Sequence, residues 1–214
     1  MPELVPFVKP TGNPGELFFP ALGKTIKLIE WREGDFYDSV TRASGAITAG
    51  VSLELFRDLA NKNLASSNLK TPRRIPSNSE FIMNRVGVLI NQAFSNTIAT
   101  GTDVVKAAYA GHLTFNINDR LVSQGPLVTY QTGYGVTGFT TENNTHVLTT
   151  GVPSAAAAPQ LLVAQNVTAV DDLGGTIEFR DDVWITGSSV MPVLTGRMVF
   201  TLYLHGFIKK AQGS

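Results

Sequence analysis

The chain has 214 residues, enough for one large domain with a proper core, since a domain of this size hides roughly 70% of its extended-chain surface on folding. Only 16% of residues are charged, against about 25% in an ordinary soluble domain, while 43% are hydrophobic. Seventeen basic residues cancel seventeen acidic ones, so no global field draws the chain onto nucleic acid, and the absence of cysteine excludes disulfides, thiol catalysis and thiolate metal sites.

Residues 1–23 carry Pro2, Pro6, Pro10, Pro14 and Pro20, with Gly12, Gly15 and Gly23 among them. Proline offers no N–H to a sheet and glycine adds freedom, so the segment predicts an extended N-terminal arm. Leu4, Val5, Phe7, Phe18 and Phe19 are too apolar for a solvated tail, and the arm is expected to lie on this subunit's sheet or on a neighbour's. Removing it is expected to impair assembly more than folding. No basic region followed by an apolar run opens the sequence, so no secretory signal is expected, and the longest apolar stretches are far too short to cross a bilayer.

From residue 24 onward strand signals dominate. Over 24–31, Ile26 and Leu28 share one face. Val51, Leu53 and Leu55 alternate with Ser52 and Glu54, although Phe56, Leu59, Ala60 and Leu64 also fit a helical stripe, which leaves 53–63 open between strand and helix. Ile82, Val86, Val88 and Ile90 line one face of a strand over 82–90. Thr102 or Asp103 caps a short helix with Val104, Val105, Ala108 and Tyr109 on its apolar side and Gly111 ending it. Leu113, Phe115 and Ile117 oppose Thr114 and Asn116 in the clearest strand. The stretch 131–150 reads as a long Gly/Thr/Asn loop, and 155–162 as a second short helix bounded by Pro153 and Pro159. Strands follow over 176–179 and 183–185. A closing strand over 197–208 sets Met198, Phe200, Leu202 and Leu204 against Val199, Thr201, Tyr203 and His205. No internal repeat or uniform linker divides the chain. The expectation is an all-β antiparallel fold, a jelly-roll barrel or sandwich with one or two short helices, forming a single domain over 24–214.

Chemistry-bearing patterns are sparse. The three histidines, His112, His146 and His205, share no short spacing, and no serine stands in a Gly-x-Ser-x-Gly turn; each histidine reads as an ordinary strand or loop residue. Asp171-Asp172 and Asp181-Asp182 read as solvated turn residues, because adjacent strand residues point to opposite faces and make no pincer. Gly133-Tyr134-Gly135-Val136-Thr137-Gly138 matches a dinucleotide string but no helix signal follows it. The glycosylation triplets at Asn143–Asn144 and at Asn166 carry no argument. Lys70-Thr71-Pro72-Arg73-Arg74 and Lys209-Lys210 are basic patches with two readings, a phosphate contact or a solvated loop and tail, the second favoured. Trp31 and Trp184 sit in strand contexts and read as core. No catalytic, cofactor-binding or metal-binding residue is assigned, no cofactor is expected, and the chain is read as not an enzyme.

The order of segments carries a resemblance. Phe36-Tyr37-Asp38-Ser39-Val40 is followed by Leu53-Glu54-Leu55-Phe56, then Ser67-Asn68-Leu69, Arg74-Ile75-Pro76 and the strand over 81–90; Leu202-Tyr203-Leu204-His205-Gly206-Phe207-Ile208-Lys209 closes the chain. This pattern resembles jelly-roll major capsid proteins of tailless, internal-membrane-containing icosahedral phages, of the single-barrel type. The resemblance implies a coat subunit of a virion. Its partners would be copies of itself in a capsid lattice, a second coat protein and an internal membrane, with no sequence-specific nucleic acid binding. It supplies no catalytic residues. The alternatives are another virion or appendage part (spike or tail) and a β-sandwich carbohydrate-binding module. The low charge fits large buried contacts, because charges are depleted at interface cores.

Overall fold

The computed structural model describes residues 8–46, 51–92, 101–130, 136–138, 149–150, 158–179 and 193–209. Eight strands form two four-stranded sheets, antiparallel throughout. In chain order they are β4 (Trp31–Arg42), β6 (Ser52–Leu55), β7 (Glu80–Gln92), β8 (Gly111–Ile117), β9 (Arg120–Pro126), β12 (Gln160–Thr168), β13 (Leu173–Phe179) and β15 (Met198–Lys209). The first sheet runs β12-β7-β15-β4 and the second β6-β13-β8-β9. Apart from the β8–β9 hairpin, every step along this series passes from one sheet to the other.

Alternation explains why these segments face each other. Leu113, Phe115 and Ile117 of β8, Leu173, Ile177 and Phe179 of β13 and Met198, Phe200, Leu202 and Leu204 of β15 are all buried in one shared core, with polar or half-exposed residues between them. Edge-to-face aromatic pairs cross it, Phe179 with Phe200 at 5.6 Å and Phe56 with Phe115 at 6.4 Å between ring centres. Leu53 and Leu55 point inward from β6 as expected, and β6 then ends in turns, so 53–63 holds no helix.

Smaller elements surround the sandwich. They are β1 (Lys9–Pro10), β2 (Glu16–Phe19), a 3-10 turn (Pro20–Leu22), β3 (Lys24–Lys27), β5 (Gly45–Ala46), helix α1 (Gly101–Ala110), the short helix α2 (Leu127–Tyr130), β10 (Val136–Gly138), β11 (Thr149–Thr150) and β14 (Val193–Leu194). β5 pairs with β14 and β10 with β11. In α1, Val104, Ala107 and Ala108 are buried, whereas Tyr109, expected on the apolar side, is half exposed. Asp103 is fully buried and accepts hydrogen bonds from Thr195 N, at 3.0 Å, and Thr195 Oγ1, which pins α1 to the entry of β15.

Three expectations are corrected. Residues 9–23 are not an outstretched arm: β1, β2 and β3 form a three-stranded sheet, so the boundary at residue 24 falls inside one unit. Phe19 and Ile26 of that unit are buried with Trp31, Ile82 and Ala164, and Phe207 packs against them. Of the apolar residues expected to need cover, Phe19 finds it on this chain's own first sheet, while Leu4, Val5 and Phe7 lie outside the described residues. Residues 160–162 do not end a helix but begin β12; Pro159 stops a helix, and the β-branched Val163, Val167 and Thr168 beyond it suit a strand. Finally, Ile82 does not share the face of Val86, Val88 and Ile90. The pairing of β15 with β7 slips between His205↔Arg85 and Gly206↔Met83, so Asn84 is an extra residue. That bulge inverts the alternation and sends Phe81 and Met83 inward and Ile82 outward under the small sheet. Parts of the expected loop at 131–150, the strand at 183–185, Trp184 and residues 1–7 lie outside the described residues.

Candidate functional site

The bulge that turns Ile82 outward also borders a polar recess on the first sheet. Opposite it stands Gly206, where a Cβ would lie 2.0 Å from the Ile82 carbonyl oxygen, so only glycine fits. The recess, of about 450 Å³, is lined by Glu33, Gly34, Asp35, Asn84, Arg85, His205, Gly206 and Phe207. Register sets its centre: Asp35, His205 and Arg85 stand directly opposite one another on β4, β15 and β7. His205 is only 3% exposed although it lies on the outer face. Its Nδ1 is 2.6 Å from Asp35 Oδ1; an ionised carboxylate only accepts, so Nδ1 carries the proton. The ring stacks on Tyr203 at 5.9 Å, nearly parallel, and Arg85 Nη1 donates to the Ala158 carbonyl at 3.1 Å. The Tyr203 phenol is pushed above its ordinary pKa by burial first and then by Tyr37 and the Asp35 charge.

An imidazole held by a carboxylate is half of a nucleophilic triad, but the hydroxyls beyond Tyr203 on this face, Ser39 and Thr201, are engaged with each other at 2.8 Å. Among the described residues no group of three or more His, Cys, Asp or Glu side chains is placed to hold a metal ion. Asp35, His205 and Arg85 thus form a polar row across three strands.

The other residues singled out in the sequence are dispersed. His112 lies in β8, and His146 is outside the described residues, as are Asp181-Asp182, Lys210 and the first half of the Gly133–Gly138 string. Asp171 caps the turn between β12 and β13, accepting from Thr168 N and Thr168 Oγ1, both at 2.7 Å. Burial alone would raise its carboxyl, but those two donors and Asn118 outweigh it and hold the pKa below the usual carboxylate value. Asp172 pairs with Arg73 at 3.0 Å, and Arg73 N donates to the Phe56 carbonyl at 2.7 Å, so this member of the first basic patch staples a loop to β13. Lys209 approaches Glu80 at 3.7 Å. Trp31 is buried, with Lys24 Nζ 4.9 Å above its ring centre.

Two features had no chemical signature in the sequence. Asn68 lies along the free edge of β4 and acts as a strand: its Oδ1 accepts from Tyr37 N at 2.9 Å and its Nδ2 donates to the Asp35 carbonyl at 2.7 Å. The middle of that edge, from Asp35 to Asp38, is thereby occupied. The opposite side of the sandwich, where β9 and β12 are both sheet edges, lacks such a strap among the described residues and holds a groove of about 530 Å³.

No family model matches this chain, and no curated protein matches it significantly.

The molecule is thus an antiparallel β protein in which, among the described residues, Asp38, Asn68, Asp103 and Asp171 hold strands and loops together. Among the described residues no helix is long and apolar enough to cross a membrane.

Proposed function

We propose that the chain is the coat subunit of a tailless icosahedral virus, a single jelly roll that packs with copies of itself into a shell over an internal membrane. The observation that carries this reading is strand order. Numbered one to eight along the chain, the long strands lie in the order 6-3-8-1 in one sheet and 2-7-4-5 in the other. Such an order is the one expected of two interlocked Greek keys, the architecture used by viral capsid and lectin domains and by cupins, and it supports the reading. Within that set, a cupin-type enzyme is disfavoured by the lack of a histidine and carboxylate cluster among the described residues. A carbohydrate-binding module wants exposed aromatic platforms, whereas Trp31 is 4% exposed. The small N-terminal sheet, seated on the outer face of the first sheet, adds thickness to one side of the barrel, as suits a building block.

Electron microscopy of the purified protein, alone and with lipid vesicles, tests the proposal. Closed isometric shells, or an ordered coat on vesicles, support it. Elongated trimers would transfer the reading to a spike or tail part. Monodisperse monomers with affinity for glycans would move it to a binding module.

A further inference from the structure

Between β7 and β12 the register jumps from Gln160↔Arg85 to Gln165↔Met83, so β12 has four residues where β7 has one. The excess is thrown outward at the sheet edge. Leu161 turns into the core, Leu162 is 100% exposed, and Val163 is 47% exposed beside it. Across the opening between the two sheets, Leu121 on β9 is 48% exposed. The groove between these strands is bordered by amides, among them Gln124 and Gln165, and by the single charge of Arg120. Gln165 spans the gap, accepting from Arg120 and donating to the Val163 carbonyl at 2.9 Å.

We propose that this edge is a self-association surface, with Leu162 of each copy seated in the β9–β12 groove of the other about a two-fold axis. Three observations select a second copy as the occupant. A fully exposed leucine projects beside a groove roomy enough for it, so the knob and its hole lie on one surface, as an isologous contact requires. The rim is made of glutamines, which both donate and accept and are therefore complementary to themselves. The surface is almost free of charge, Arg120 being the one ionic side chain that lines the groove. The other flank of the sandwich differs: Glu54, Arg57 and Asp58 crowd it, and Asn68 occupies the middle of its edge.

The inference stands apart from the coat reading, and one set of variants separates the two. Sedimentation velocity across protein concentration is run on the full chain, on Leu162→Asp, and on the control Leu64→Asp, whose leucine is 77% exposed on the strapped flank. Leu162 is wholly outside the core, so its replacement leaves folding intact. The expected result is a dimer for the native chain and the control, and a dissociation constant at least about ten-fold higher for Leu162→Asp, equivalent to about 1.4 kcal/mol. Since the chain has no cysteine, Leu162→Cys with a short bis-maleimide adds a second readout: a covalent dimer is expected, and Leu64→Cys should give none. A native chain that stays monomeric, or a Leu162→Asp variant that associates as tightly as the native one, overturns the inference. Shells that form equally well from Leu162→Asp would overturn it while leaving the coat reading intact; dimers without shells would do the reverse.

Discussion

Asp38 is a carboxylate with no solvent exposure, set at an inward position of β4. Its oxygens accept from Lys62 Nζ, at 2.9 and 2.7 Å, and from Phe56 N at 2.6 Å. Phe56 needs that support: its φ of 67° is left-handed, a conformation that bulky side chains rarely adopt, and the strain is of order 1–3 kcal/mol. Removing one partner of a buried ion pair strands the other charge, so Lys62→Ala should cost about 3–5 kcal/mol. Differential scanning calorimetry should show a fall in melting temperature on the order of 10 °C. Gly206→Ala is expected to be at least as damaging, because the added methyl meets backbone that cannot swing aside; urea titration should show a lower midpoint or insoluble protein. Tyr130 adds a pH dependence. Burial raises its phenolic pKa, against a smaller opposing effect of the hydrogen bond with Ser123. A raised folded-state value means its contribution to stability is complete below about pH 10 and is lost as pH climbs through that value. The native protein should therefore lose stability above pH 10 more steeply than Tyr130→Phe, as read by chemical denaturation at each pH.

At the scale of elements, the sequence was informative where one rule acted alone. Leu113, Phe115 and Ile117, and the inward set of β15, are strictly alternating, and burial follows the pattern residue for residue. β4 was harder: Glu33, Asp35 and Asp38 break its apolar pattern because its edge is served by Asn68 and its inner face by Lys62, partners about thirty residues away. β12 was hidden by its own bulge, since four residues projecting from one ladder position cannot alternate. Ile82 was misassigned for the same reason. A bulge is a relation between two strands, so a single sequence shows no mark of it beyond Gly206, whose meaning depends on knowing what lies opposite. The polar recess was equally illegible, because register, not spacing, brings Asp35, Arg85 and His205 together. Asp171-Asp172 was read as a turn from adjacency alone, and turn bonds occupy Asp171 in the structure.

For the whole molecule, the N-terminal segment changes its meaning. As an outstretched arm it would be dispensable for folding; as a sheet with Phe19 buried against the barrel it contributes to stability. Deleting residues 1–23 uncovers Trp31, Ile82 and Phe207 and forfeits the burial of Phe19, worth about 1.5–3 kcal/mol by itself. The truncated protein should therefore unfold at lower denaturant concentration, which distinguishes a built-in layer from a free arm. The wider account joins three properties: two four-stranded antiparallel sheets packed face to face, few charges, and one flank partly strapped while the other offers an apolar knob and groove. The proposed role as a self-assembling coat subunit rests on these properties. The most direct test is the mass of the purified protein by light scattering across concentration and salt. The account predicts discrete oligomers that grow into very large closed particles; a strict monomer under every condition, with and without lipid vesicles, would contradict it.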